Sequence, residues 1–192
     1  MRTRKELHEY WRNPEEKNSP KMYINHPERT DYLVGLVAKY AETGCSILEI
    51  GSNVGRNLNG LSNAGYVDLN GVEINHDAVN LFYKIYPDTR AILYEMPMED
   101  FVNIKHYLYD VIFSMCALMH IHPDSNSVFE AIAKHTRKYI IAIEDEIKET
   151  WRHCPRNYKD VFEPFGFEQV FTEIVPWGEN GCVTRVLKRV DN

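Results

Sequence analysis

The stretch SILEIGSNVGRNLNGL, residues 46–61, sets the tightest limit on what this chain can fold into. Its first five residues are an aliphatic run carrying one carboxylate, Glu49, and read as a short buried strand. The strand runs straight into Gly51 and Gly55, after which Val54, Leu58 and Leu61 recur at helical spacing. A strand that turns through glycine into a helix lets the backbone approach a ligand closely and aims unpaired N–H groups at it. A dinucleotide site would need a GxGxxG turn to seat a pyrophosphate, but Gly51, Ser52, Asn53, Val54 and Gly55 hold no glycine pair two apart, which disfavours NAD. Glu73 stands 22 positions after Gly51, at the tip of a second strand, where it can accept hydrogen bonds from both hydroxyls of a ribose. A ribose-containing ligand follows from the pair of features.

The remainder of the chain repeats the alternation. A helix is expected over about 28–40, with Gly44 as its stop, then the strand at 46–50 and a helix over 53–65. Strands are expected at 69–74, 90–95, 109–118 and 138–146. Between them lie helices at 76–86 and 125–136 and a short helix or turn at 98–108, with one more helix at 158–167 ended by Gly166. The last two strands, 167–175 and 182–190, are joined by PWGENG and should form an antiparallel hairpin. The fold class is therefore α/β, a Rossmann-like doubly wound, mainly parallel sheet with helices on both faces and a C-terminal antiparallel hairpin. Ligands are expected at the carboxyl ends of its strands.

At 192 residues and 44% hydrophobic content, one domain with a substantial core is the default, and no second-domain linker or repeat interrupts it. Residues 28–192 form that domain, and residues 1–27, polar but holding Tyr10, Trp11 and Tyr23, read as an N-terminal arm or lid. A net charge of −6 with scattered Lys and Arg lacks the footprint of a protein that grips phosphate backbones, so no nucleic acid is expected as main partner. Cys45, Cys116, Cys154 and Cys182 have no CxxC spacing, which suggests reduced thiols rather than a disulfide framework or zinc knuckle. The beginning of the chain has no apolar signal region and no window nears 18 apolar residues, so a cytoplasmic protein without a membrane segment is expected.

The segments ILEIGSNVGRNL and GVEINHDAV resemble the first two motifs of the class I S-adenosylmethionine-dependent methyltransferases, whose E-x-G-x-G-x-G loop cradles the methionine end of the cofactor. The likeness extends in strand order from about residue 28 to the end. It implies S-adenosyl-L-methionine as cofactor, with Glu49, Gly51, Ser52, Asn53 and Gly55 around the methionine portion, Glu73 on the ribose and Ile74 against the adenine. MPMEDF resembles the family's acidic adenine segment and makes Met98 and Glu99 candidates there. Asn53 replaces the family's middle glycine and Pro97 stands where many members carry an aspartate; asparagine tolerates left-handed backbone, and adenine recognition falls to Glu99 or to main-chain groups.

YDVIFSMCALMHIHPDS resembles the family segment that faces both methyl group and acceptor, which would bring Ser114 and Met115 near the sulfonium with His120 and His122 beyond. The two histidines could be a metal pair, or a base and a substrate hydrogen-bond donor. No metal is assigned. His120 is the first choice of base because the ordinary histidine value lies near neutrality, and Glu144 and Glu146, placed on one side by strand alternation, would orient the acceptor or act instead. The same carboxylates could bind Mg²⁺ or a cationic substrate, or simply be solvated. Arg156 and Tyr158 follow the fifth strand, where substrate loops often lie, although Tyr158 also fits a buried helical stripe. Tyr23, with Tyr10 and Trp11, could close over the cofactor, excluding water from a sulfonium that aromatic faces attract, or could brace the sheet. The function expected is O- or N-methylation of a small molecule, sugar or peptide acceptor. A protein or RNA methyltransferase, another enzyme using the same cofactor, and a binding module without catalysis stay open.

Overall fold

The computed structural model describes residues 2–104 and 107–190. Its strands are β1 (Ser46–Ile50), β2 (Asp68–Glu73), β3 (Ile92–Glu95), β4 (Tyr109–Met115), β5 (Thr136–Glu144), β6 (Phe167–Val175) and β7 (Cys182–Arg189). They form one sheet in the order β3-β2-β1-β4-β5-β7-β6. All pairs among β1 to β5 are parallel, whereas β7 runs antiparallel to both β5 and β6. The strand order reverses at β1 and β4, so the crevice outside their carboxyl ends is the natural ligand position.

Helices cover both faces. They are α1 (Arg4–Arg12), α2 (Pro27–Val37), α3 (Arg56–Asn63), α4 (His76–Ile85), α5 (Met98–Ile104), α6 (Ser127–His135) and α7 (Tyr158–Phe162). Alternate strand residues point to opposite faces, and the core is accordingly double. One half gathers Leu33, Ile47, Leu58, Phe82 and Phe113, the other Leu48, Ile112, Ile132, Ile140 and Phe162.

Element ends depart from the sequence pattern where single residues redirect the chain. α3 starts at Arg56, not 53, because Gly51, Asn53 and Gly55 all have positive φ, which an α-helix does not admit. α2 begins on Pro27 and is capped at Ala38, so Gly44 does not stop it. β4 ends at Met115: Cys116 has φ 57°, and residues 118–120 form a 3₁₀ turn. β5 ends at Glu144, leaving Asp145 and Glu146 beyond the strand. The helix at 158–167 is shorter, giving way at Glu163–Phe165 to a 3₁₀ turn before Gly166. Of the segment expected over 98–108, Lys105 and His106 lie outside the described residues.

Residues 2–27 are ordered against the domain. α1 opens with a reciprocal capping box, Thr3 accepting from the Glu6 amide and Glu6 from the Thr3 amide, and buries Leu7 to 1% exposure. Two 3₁₀ turns, Glu16–Asn18 and Pro20–Tyr23, carry the chain from α1 to α2.

Candidate functional site

The loop after β1 is folded across the end of β2. The amides of Gly51 and Ser52 both donate to the Val72 carbonyl, at 2.9 and 3.1 Å. A Cβ on Gly51 would collide with Ala117, and one on Gly55 with the Phe82 ring. Gly51 thus lets β1 and the segment after β4 close together at a cavity wall, while Gly55 lets α3 lie against α4. Gly55, expected beside the ligand, is absent from the lining, and its contact is with the core.

Glu73 accepts from the amides of Asn53 and Asn75, each at 2.8 Å, one to each carboxylate oxygen. Burial raises its pKa while those amides oppose the rise. Each oxygen keeps a lone pair for a further donor, and Glu73 lines the cavity. Glu49 is less satisfied. Its Oε1 accepts from Asn57 Nδ2 at 2.7 Å, but its buried Oε2 has no hydrogen-bond partner, and burial pushes the carboxyl up to about 8. A cationic ligand group is what such an oxygen lacks. Ser52 Oγ, also lining the cavity, is likewise buried and unpartnered.

Farther along the wall Ile74, Met96, Pro97, Met98 and Glu99 present an apolar slot with one carboxylate at its rim. His8 reaches Glu99 from α1, Nε2 to Oε1 at 3.1 Å. The N-terminal segment touches the cavity at two other places: Asn75 Nδ2 donates to the carbonyls of Trp11 and Arg12, and Arg56 Nη1 donates to the Tyr23 carbonyl. Leu7, His8, Trp11, Pro14, Asn18 and Tyr23 roof the cavity, which holds about 1190 Å³ of space counted out to its mouth.

Met115, Cys116, Ala117 and His120 close the other end. His120 is wedged between Trp11, with centroids 4.4 Å apart, and His153, at 4.9 Å. Its Nδ1–H donates to the Arg152 carbonyl at 2.8 Å, which leaves Nε2 as a bare acceptor. Burial drives its pKa down to about 3, so the near-neutral value expected from the residue type does not hold here.

Several expected site residues face elsewhere. Glu144 is fully buried, with Oε1 taking the Ser114 hydroxyl and the amides of Ala117 and Leu118, and Oε2 the amide of Met119. Ser114 is therefore turned from the cavity as well. Glu146 grips Arg185 in two 2.7 Å hydrogen bonds and takes the Tyr158 amide. The alternation argument failed for this pair because the strand stops at Glu144. Tyr158 is core, packed with Phe129 and Phe162. Arg156 is spent on the carbonyls of Cys154 and Ile121 and on Asn126 Oδ1. His122 caps its own turn, Nδ1 accepting from the Asp124 amide. None of these seven, counting Gly55, lines the cavity; Glu49, Gly51, Ser52, Asn53, Glu73, Ile74, Met98, Glu99, Met115, Tyr23 and His120 do. Among the described residues no cluster of three metal-ligating side chains occurs. Arg29, Arg56, Asn57, Asn75 and His8 also line the cavity and had not been singled out. Arg56 and Asn75 had a local signal, since each adjoins a residue already assigned; Arg29 and His8 had none.

A methyltransferase domain family matches residues 48–140. No curated protein matches the sequence. Among solved structures, the chain is similar to magnesium protoporphyrin IX methyltransferase from Synechocystis PCC 6803 with bound SAH, at TM-score 0.77 and 12% identity over 98% of this chain and 100% of that one. It is also similar to 1,6-didemethyltoxoflavin-N1-methyltransferase from Burkholderia thailandensis, bound to 1,6-didemethyltoxoflavin and S-adenosylhomocysteine, at TM-score 0.69 and 12% identity over 97% and 87% of the two chains. At such identities the likeness is one of fold.

Proposed function

We propose that the chain is a class I S-adenosylmethionine-dependent methyltransferase and that it methylates a small molecule beneath residues 2–27. One observation carries this reading. The cavity runs unbroken from Glu99 and Ile74, past Glu73 and Glu49, to Cys116 and His120, under a roof made by the chain's own arm. A macromolecular acceptor would have to thread under that roof, which favours a small one.

The residues present suit the cofactor. Glu49, with its unpartnered oxygen, is placed to take an ammonium group, Glu73 the ribose hydroxyls, and the slot of Ile74, Met96, Pro97 and Met98 the adenine, with Glu99 at its edge. When bound, S-adenosylmethionine supplies an electrophilic methyl group on a sulfonium. The protein's share is to position the acceptor and keep water out. Trp11 and Tyr23 exclude water from above, and residues 2–27 act as a lid tied to the cofactor wall through Glu99, Asn75 and Arg56. His120 lines the acceptor end rather than deprotonating the acceptor: at neutral pH its imidazole is uncharged, and its Nδ1–H is held by the Arg152 carbonyl. Among the described residues no helix is long and apolar enough to cross a membrane, and we place the protein in the cytoplasm on its free thiols.

The test is incubation with methyl-labelled S-adenosylmethionine and an extract separated into small-molecule, protein and RNA fractions. Label is expected in the small-molecule fraction. Label confined to protein or RNA would sink the reading.

A further inference from the structure

Two guanidinium groups line the cavity, and they are differently satisfied. Arg56 donates to Thr30 Oγ1, the Tyr23 carbonyl and Asn57 Oδ1, and rests against Met115 Sδ, in the field of Glu49. It belongs to the end assigned above to the cofactor's amino-acid group. Arg29, on α2, lies near both Arg56 and Cys116 and acts on each through its charge. Its Nε is buried and has no hydrogen-bond partner. Glu28 Oε1 stands 3.8 Å away on an exposed side chain, and the Trp177 ring centroid 5.5 Å from the guanidinium carbon. The indole N–H of Trp11, packed on His120, is a second buried donor without a partner on a cavity-lining residue. Buried donors left unmade cost free energy that an accepting ligand recovers.

The groups at this end are poorly suited to take a proton. His120 is uncharged with a weakly basic ring. The Cys116 thiol is held protonated by its hydrogen bond with Cys182, 3.6 Å away, and by burial, and burial raises the Tyr23 hydroxyl. Glu144 and Glu146 are occupied elsewhere. Free donors, a fixed cation and no available base together describe a site for an acceptor that is already an anion.

We infer that the acceptor is an organic carboxylate held by Arg29, and that the reaction is carboxyl O-methylation, an assignment that rests on the small-molecule reading above. One carboxylate oxygen of the acceptor forms a bond to the methyl carbon, and the carbon–sulfur bond breaks with its electron pair left on sulfur. No proton moves, and the products are a methyl ester and S-adenosylhomocysteine. Arg29 fixes the second oxygen and selects against amines and alcohols, which give it nothing to accept its N–H with charge.

The experiment uses the full chain, methyl-labelled S-adenosylmethionine and an ultrafiltered small-molecule extract, with the products then treated with alkali. Methyl esters release volatile labelled methanol; N-methyl groups and ethers do not. Most of the label is expected to become volatile. Label that stays in alkali-stable small molecules overturns the carboxylate inference but leaves the small-molecule reading intact, whereas label in no small molecule overturns both. Arg29→Gln should then cut the alkali-labile product rate about 10- to 100-fold, the equivalent of a charged hydrogen bond. Its affinity for S-adenosylhomocysteine, measured by calorimetry on the same sample, should stay within about twofold, below the strength of any hydrogen bond to a charged group. Arg29→Lys should recover part of the rate. If Arg29→Gln weakens S-adenosylhomocysteine as much as it slows the reaction, Arg29 serves the cofactor and the assignment fails; an undiminished rate overturns it as well.

Discussion

The ends of β1 and β5 each bury a glutamate, and the two have opposite lives. Glu49 is 2% exposed and Glu144 0%, and burial pushes their pKa values up to about 8 and about 7. Glu144 answers its burial with four donors, three of them amides of the turn that carries His120. Glu49 has one donor, Asn57, and an oxygen left over beside a cavity. A strongly perturbed value therefore does not tell binding from architecture. The unfilled valence does.

Breaking the Glu144 side of the comparison should have the largest effect. Glu144→Ala strands three amides and a hydroxyl in the interior, and should lower the stability by about 3–5 kcal/mol in urea unfolding. A loss under about 1 kcal/mol would mean that water replaces the carboxylate there.

On the other side, Glu49→Ala should weaken S-adenosylhomocysteine by about 1.5–3 kcal/mol in calorimetry, the range for a hydrogen bond to a charged group, at a smaller cost in stability than Glu144→Ala. Equal affinity in the variant would leave the unpartnered oxygen without a ligand to explain it.

The pH dependence sharpens the contrast further. Glu49 has a folded value of about 8 against an ordinary 4.5, so between those values the native state holds more protons than the unfolded one. Its contribution to stability is full below about 4.5 and is lost as pH rises through about 8. Wild type should therefore lose stability relative to Glu49→Gln on going from about pH 5 to about pH 9, by chemical denaturation at stepped pH. S-adenosylhomocysteine binding near neutrality should release a fraction of a proton, read from calorimetry in buffers of different ionisation enthalpy, and Glu49→Gln should abolish it. A difference between the two proteins that stayed constant with pH would show that Glu49 is ionised in the fold.

The smallest effect concerns the residue Glu144 helps to hold. His120→Asn should retain activity within about tenfold of wild type, because the side chain lines the acceptor end without exchanging a proton. A loss of about 10² to 10⁴ would restore the histidine as a general base.

What could be read along the chain was decided by its own neighbours. The strand at 46–50, the left-handed turn through Gly51, Asn53 and Gly55, and Glu73 at the next strand tip lie within 28 residues and depend on backbone allowed regions and strand alternation. Those rules act locally, so they specified the sheet, its closing hairpin and the cavity wall around Gly51, Asn53 and Glu73. The rest of the expected site depends on partners far away in sequence. Alternation predicts a common side for Glu144 and Glu146 only while the strand lasts; it ends at Glu144, and Arg185, 39 residues on, claims Glu146. Tyr158 had equal claim to loop or core until Phe129 and Phe162 met it. His120 had an ordinary value until Trp11 and His153 enclosed its ring. Arg29, one cation among 22, acquired an unanswered donor only when α2 brought it to the cavity. Burial and unpaired valence are properties of the assembled packing, and no pattern of neighbours along the chain encodes them.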